Sequence, residues 1–274
     1  MTDGLWLMVM CGLGLLAGSV LNCVIWRLPL MLQRRVQSEA YQLLGLTPPE
    51  DGWPARFNLF LPRSCCPHCR RTIPFYHNIP LVSWLLLRGR CHSCQQRIGW
   101  RYPLVELTAA LSGAWVAWCW PPGETALALA LCAWLLIALI AIDIQHLLLP
   151  DALTLPLLWL GLLANLNGAL VPLNDAVLGA AIGYLSLWLL FWGFKLATGK
   201  EGLGYGDFKL LAALGAWCGW QSLPWLLLCA ALLGIIAILL LRMAGRTGRG
   251  EPLPFGPCLA LSGWMTLITP LAMW

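Results

Sequence analysis

The sequence predicts an all-α polytopic membrane protein with about eight transmembrane helices, and three observations lead there. Hydrophobic residues fill 59% of its 274 positions and charged residues only 11%, against roughly 25% charge in a soluble domain. The apolar residues are contiguous, in runs approaching the ~20 residues that span a bilayer core. The basic residues fall between those runs, in clusters that an even number of crossings explains.

The first run, 4–26, resembles a signal peptide in position only. Asp3 stands where a basic n-region would be, and the run from Leu5 to Trp26 outlasts a typical h-region. A retained first helix, with Arg27 just after it, is expected. Further runs cover 103–120, 125–142, 152–167, 174–194, 208–220, 223–241 and 255–273. Those at 103–120 and 152–167 are marginal in length, and 208–220 is short for a span. Charge tests the count independently. Of 17 Lys and Arg, 11 arginines lie from Arg27 to Arg101. Lys195, Lys200 and Lys209 surround the fifth link, and Arg242, Arg246 and Arg249 follow the seventh run. Counting all the runs as crossings puts every cluster on one face, which the positive-inside rule makes cytoplasmic, with both termini outside. Without a crossing at 208–220 the last cluster would fall on the wrong side.

By role the chain divides into a first transmembrane helix (1–28), a cytoplasmic module (29–102) and a transmembrane core (103–274). Residues 29–62 are amphipathic and basic. They suit a segment lying on the membrane surface, or equally a plain cytosolic lead-in. The module carries Cys66 and Cys69 as one C-x2-C pair and Cys91 and Cys94 as another, 21 residues apart. Two knuckles, each giving two sulfurs from a tight turn, fit the tetrahedral cage of a structural zinc ion. A cytoplasmic location disfavours disulfides. A redox dithiol or unliganded thiols are the alternatives. Cys65 could replace Cys66 only with a poorer C-x3-C spacing. His68 and His92 sit inside the knuckles as spectators, because four sulfurs suffice. The other cysteines lie in or near apolar runs and behave as small hydrophobes.

An acid within a span costs about 2.5–3.5 kcal/mol on insertion scales and is a functional candidate by default. Asp151 follows a proline and opens a helix, which suits an N-cap as well as a supporting role. Asp175 reads as an N-cap on the opposite face. Asp207 could cap the 208–220 helix. Asp143 ends its run, where an acid opposes the helix dipole, so capping does not account for it. Asp143 and Asp207 both fall at the cytoplasmic ends of runs. Two carboxylates brought close share one proton, which suits peptide hydrolysis: one activates water and the other protonates the leaving group. Gly204 and Gly206, just before Asp207, would allow positive φ and the close approach of a peptide strand. Glu106 and Glu201 are candidates for supporting or amine-binding roles, or else interfacial partners of Arg101 and Lys200.

The motif "GYGD" (204–207) with "IDIQHLLLPD" (142–151) resembles the bacterial prepilin peptidases, members of the GxGD intramembrane aspartyl proteases. "GSVLNCVIWRLP" (18–29), the cysteine module through "RYPLVE" (101–106) and "LPFGPCLALSG" (253–263) extend the resemblance over nearly the whole chain. Small departures are Cys65 and the Ser-Val of "GSVLN". The resemblance implies a catalytic pair at Asp143 and Asp207, with prepilins or type II secretion pseudopilins as substrates. It also implies cleavage after a glycine at the cytoplasmic face of the bacterial inner membrane. N-methylation of the new terminus with S-adenosylmethionine is implied too, although no fingerprint for that cofactor is recognisable in the sequence. The expected partners are these substrates and the lipid bilayer, with no nucleic acid. Two rival classes are a transporter, which would place acids near mid-span, and a zinc-bearing scaffold without catalysis.

Overall fold

The computed structural model describes residues 2–47, 52–54, 56–200, 202–245 and 253–268. Two compact units divide it, Met1–Trp118 and Cys119–Trp274. Regular structure is helical throughout the described residues, apart from isolated bridges at Cys65–Thr72 and Arg90–Arg97.

The first unit holds α1 (Thr2–Leu43), the short α2 (Val82–Leu86) and most of α3 (Arg101–Cys119). The first helix does not stop before Arg27: it continues through Pro29 to Leu43. Residues 30–43 contain good helix formers, and Gly45 follows at φ 66°, in a region that favours glycine. A switch from apolar to basic residues marks a change of surroundings, not of backbone, so charge alone misplaces this helix end. Small residues bring α1 against α3. A Cβ at Gly18 would lie 2.6 Å from the Glu106 Cα, and one at Gly14 would strike the Ala109 carbonyl. Arg27 is 2% exposed. Its guanidinium donates to the Asn58 carbonyl at 2.9 Å and the Pro62 carbonyl at 2.7 Å. It thereby ties the loop after α1 back onto the helix.

The second unit holds α4 (Glu124–His146), α5 (Asp151–Ala164), α6 (Leu173–Thr198), α7 (Tyr205–Cys218), α8 (Leu223–Met243) and α9 (Gly256–Ile268). Helix α7, the short 208–220 run, is the centre: from Asp207 to Cys218 every residue except Lys209 is buried. Glycines permit this. Gly179 of α6 and Gly215 of α7 meet backbone to backbone, and a Cβ on either would strike the other's carbonyl oxygen. Small residues at a helix crossing are the usual means of close packing in membranes. Gly161 of α5 accepts the Trp217 indole, whose Nε1 donates to the Leu157 carbonyl at 2.9 Å. The far end is tied by Asn165, fully buried. Its Nδ2 donates to Ala216 O at 3.0 Å and its Oδ1 accepts Leu170 N at 3.0 Å.

By length and composition, α4, α6, the stretch Gly4–Leu43 and the stretch Trp220–Met243 are the four described spans able to cross a membrane; α5 and α9 are shorter apolar helices.

Candidate active site and metal centre

Asp143 and Asp207 open on the same cavity of about 400 Å³, whose wall also includes Leu149, Gly206 and Phe255. Both side chains are nearly enclosed, at 5% and 7% exposure. Their charges are close enough to act on each other. Asp143 lies in the last turn of α4, yet it also faces the start of α9, where Gly256 N–H donates to its Oδ2 at 3.1 Å. The unfavourable end of one helix is thus offset by the favourable end of another. Asp207 is in the first turn of α7, and its Oδ2 accepts the Gly204 N–H at 3.3 Å. Capping therefore occurs at Asp207, from inside the helix. Phe191 of α6, Tyr205 and Phe208 stack with ring centroids 5.2–5.6 Å apart. This cluster fixes the mouth of α7 against the end of α6.

The positive φ expected of the loop glycines is not found. Gly204 is extended, with φ −82° and ψ 145°. Gly206 lies in the first turn of α7, and neither is among the glycines of positive φ. Gly206 is required by contact instead: a Cβ there would come within 2.7 Å of the Leu149 Cβ. The left-handed residue at the site is Leu147, at φ 51°, whose N–H closes α4 on the Asp143 carbonyl at 2.9 Å.

Asp151 is not an N-cap. Pro150 takes that position, and the Asp151 carboxylate pairs with Lys209 Nζ at 2.6 and 2.8 Å, joining the starts of α5 and α7. Asp175 is also inside its helix after Pro172, and accepts the Trp220 Nε1–H at 3.1 Å. Glu201 lies outside the described residues. Glu106 belongs to the first unit, where its Oε2 accepts the Leu81 N–H at 2.8 Å. Gly256 and Leu149 are the site residues that sequence reasoning passed over; the only signal was the Gly-Pro pair opening the last apolar run.

In the first unit, the sulfurs of Cys66, Cys69, Cys91 and Cys94 all lie within 4.8 Å of one another. The Cys66–Cys94 separation is 3.9 Å, close to the ~3.8 Å edge of a tetrahedron with Zn–S bonds near 2.3 Å. The two knuckles repeat one turn. Cys66 N donates to Arg71 O and Arg70 N to Cys66 O; Cys91 N donates to Gln96 O and Gln95 N to Cys91 O. Arg70 and Gln95, equivalent positions, are left-handed at φ 58° and 57°. Neither Cys65 nor His68 nor His92 joins the four. The Cys94 N–H draws the Cys91 thiol down to about 7. Cys94 stands at about 11 despite the Gln96 N–H, because desolvation and the neighbouring sulfurs favour its neutral form. A dication between the sulfurs reverses that preference.

Two family models match the chain: the bacterial peptidase A24 N-terminal domain over residues 13–120 and the type IV leader peptidase family over residues 129–239. The chain is 54% identical to a prepilin leader peptidase/N-methyltransferase of Aeromonas salmonicida, over 93% of its own length and 87% of the relative's. A protein of the same description from Dickeya chrysanthemi is 52% identical, covering 96% and 92%. One from Pseudomonas aeruginosa is 53% identical, covering 93% and 88%. No solved structure matches.

Proposed function

Because the chain belongs to the type IV leader peptidase family, we propose that it cuts the leader from type IV prepilins or type II secretion pseudopilins. It then methylates the amino group that the cut exposes. The observation that carries the peptidase reading is the shared cavity of Asp143 and Asp207, each carboxylate held by one backbone N–H at a helix start. One carboxylate takes a proton from water as it attacks the scissile carbonyl. The other, protonated, donates to the carbonyl oxygen and then to the leaving amine. No metal takes part in these steps. Gly206 and Gly256 keep the cavity walls close, and the Asp151–Lys209 pair holds α5 against α7 from the side.

The active site and the cysteine module face the cytoplasm of a bacterial inner membrane, where the basic clusters lie. The parity of those clusters supports eight crossings, with α3, α5, α7 and α9 completing the long helices. Division by role into 1–28, 29–102 and 103–274 places α3 with the core, unlike division by compactness. Cys66, Cys69, Cys91 and Cys94 hold a structural zinc ion, which fixes the fold of the module. S-adenosylmethionine supplies the methyl group.

The test is mass spectrometry of a prepilin incubated in detergent with the protein and S-adenosylmethionine. Wild type removes the leader after a glycine and adds one methyl. Asp143→Asn and Asp207→Asn should each lower cleavage by on the order of 10³-fold or more, with zinc content unchanged. Cleavage retained by either variant removes that residue from the pair. A bell-shaped pH profile is expected for the wild type, since the pair works only with one proton between its members.

A further inference from the structure

Leu149 lies in the connection 147–150 between α4 and α5 and lines the aspartate cavity. It is 9% exposed. Its side chain fills the space between two glycines beside the aspartates. A Cβ on Gly206 would lie 2.7 Å from the Leu149 Cβ and 3.2 Å from its Cδ1, and a Cβ on Gly256 would lie 3.2 Å from the same Cδ1. Gly206 precedes Asp207 in the chain, and the Gly256 N–H holds the Asp143 Oδ2. One side chain therefore touches the supports of both carboxylates. Its backbone is fixed at both ends. The Leu147 N–H closes α4 on the Asp143 carbonyl, Pro150 takes the cap position of α5, and the Asp151–Lys209 pair ties the start of α5 to α7. A wall held in this way retreats only if the helices that carry the aspartates move with it.

We propose that Leu149 is the specificity-determining residue that restricts the substrate position before the scissile bond to glycine. The assignment rests on the peptidase half of the proposed function. The scissile carbonyl has to lie within reach of both carboxylates, so the residue that supplies it comes against the wall between them. Gly206 and Gly256 lack a Cβ where Leu149 fills the room. A substrate Cβ entering the same space meets Leu149 and pushes the carbonyl away from the pair. Misplacement of that kind is costly to turnover. The selection works by rejection, not attraction. Glycine offers the wall nothing to hold, and every larger residue is penalised for its size. Serine and alanine, similar in volume, should therefore fare alike, and valine worse than either.

The experiment is a competition, with the full-length protein in detergent, between prepilins that carry glycine, alanine, serine or valine before the scissile bond. Mass spectrometry of the products gives ratios of kcat/KM. Wild type should favour glycine over alanine by on the order of 10²-fold, with serine close to alanine and valine lower still. Leu149→Ala should reduce the glycine-to-alanine ratio at least about tenfold. Leu149→Val, which removes one methylene, should fall between. Leu149→Met, close in volume, should keep the wild-type ratio. Each ratio is internal to one variant, so a general loss of activity from repacking cancels. A ratio unchanged in Leu149→Ala, or in Leu149→Val where Leu149→Ala is inactive, overturns the proposal. Wild type that cuts after alanine within about threefold of glycine does so too, since nothing is then excluded. Loss of all cleavage in both variants marks Leu149 as structural only, which also overturns it. Folded wild type that cuts none of the four prepilins instead defeats the underlying peptidase reading.

Discussion

Asp143 stands at the end of one helix and the beginning of another, and the second explains why the first tolerates it. The Gly256 N–H is its partner, and the space is tight: a Cβ on Gly256 would lie 2.6 Å from the carboxylate Oδ2. Gly256→Ala should therefore displace the carboxylate and lower leader cleavage at least about tenfold, as misplacement by an ångström or less commonly does. Thermal unfolding should change little, because alanine suits the first turn of a helix. Steady-state cleavage beside a melting curve checks this. Asp143 and Asp207 were legible in the sequence because a carboxylate in an apolar run is costly and needs a reason. Gly256 was not, since its partner lies far away in the chain and only folding brings α9 to the end of α4. Neither Gly204 nor Gly206 takes the positive φ expected of it. Local sequence suggests unusual backbone angles at glycines, whereas what Gly206 supplies is room for Leu149.

At the scale of elements, α7 carries Asp207, one half of the proposed catalytic pair, and its contact with α6 is backbone on backbone at Gly179 and Gly215. Gly215→Ala would put a methyl group against a carbonyl that has no flexible side chain to yield. The helices must separate, at a cost of about 1–3 kcal/mol. Denaturant unfolding in detergent should register that loss, and cleavage should fall with it because Asp207 rides on α7. The existence of most of these helices was readable from apolar runs. Their ends were less so. The first helix runs on to Leu43 because nothing in 30–43 breaks it, and Asp151 and Asp175 sit one to three positions inside their helices because the preceding prolines take the caps. The exposed Asp151–Lys209 pair could not be read from spacing at all, since 58 residues separate its members.

For the molecule as a whole, two compact units carry two cavities of different character, one lined by two carboxylates, the other aromatic and walled by cysteine knuckles. The cysteine spacing alone foretold the cluster, because two C-x2-C turns can do little else when brought together. The cavity beside it left no trace in the sequence: its walls come from scattered residues between Cys65 and Glu106. Metal removal tests the module. If the four cysteines hold the proposed zinc ion, a chelator, or replacement of Cys66 by Ser, should loosen the knuckles, and near-UV circular dichroism should lose signal in parallel. Recovery of that signal on adding back zinc would show that the metal acts through shape.

Helix α7 has one further consequence. Its 14 residues extend about 21 Å, less than the ~30 Å of a hydrocarbon core. It meets almost no surroundings except protein. The depth of Asp207 is therefore set by neighbouring helices, not by hydrophobic matching to the lipid. Reconstituted in vesicles of progressively longer acyl chains, the enzyme should keep a nearly constant turnover on a soluble leader-peptide substrate, even as its outer helices tilt to suit each bilayer. A catalytic group carried on a lipid-facing helix would drift with membrane thickness; Asp207, in its proposed role, is referenced to the protein's interior and should work alike in thin and thick membranes.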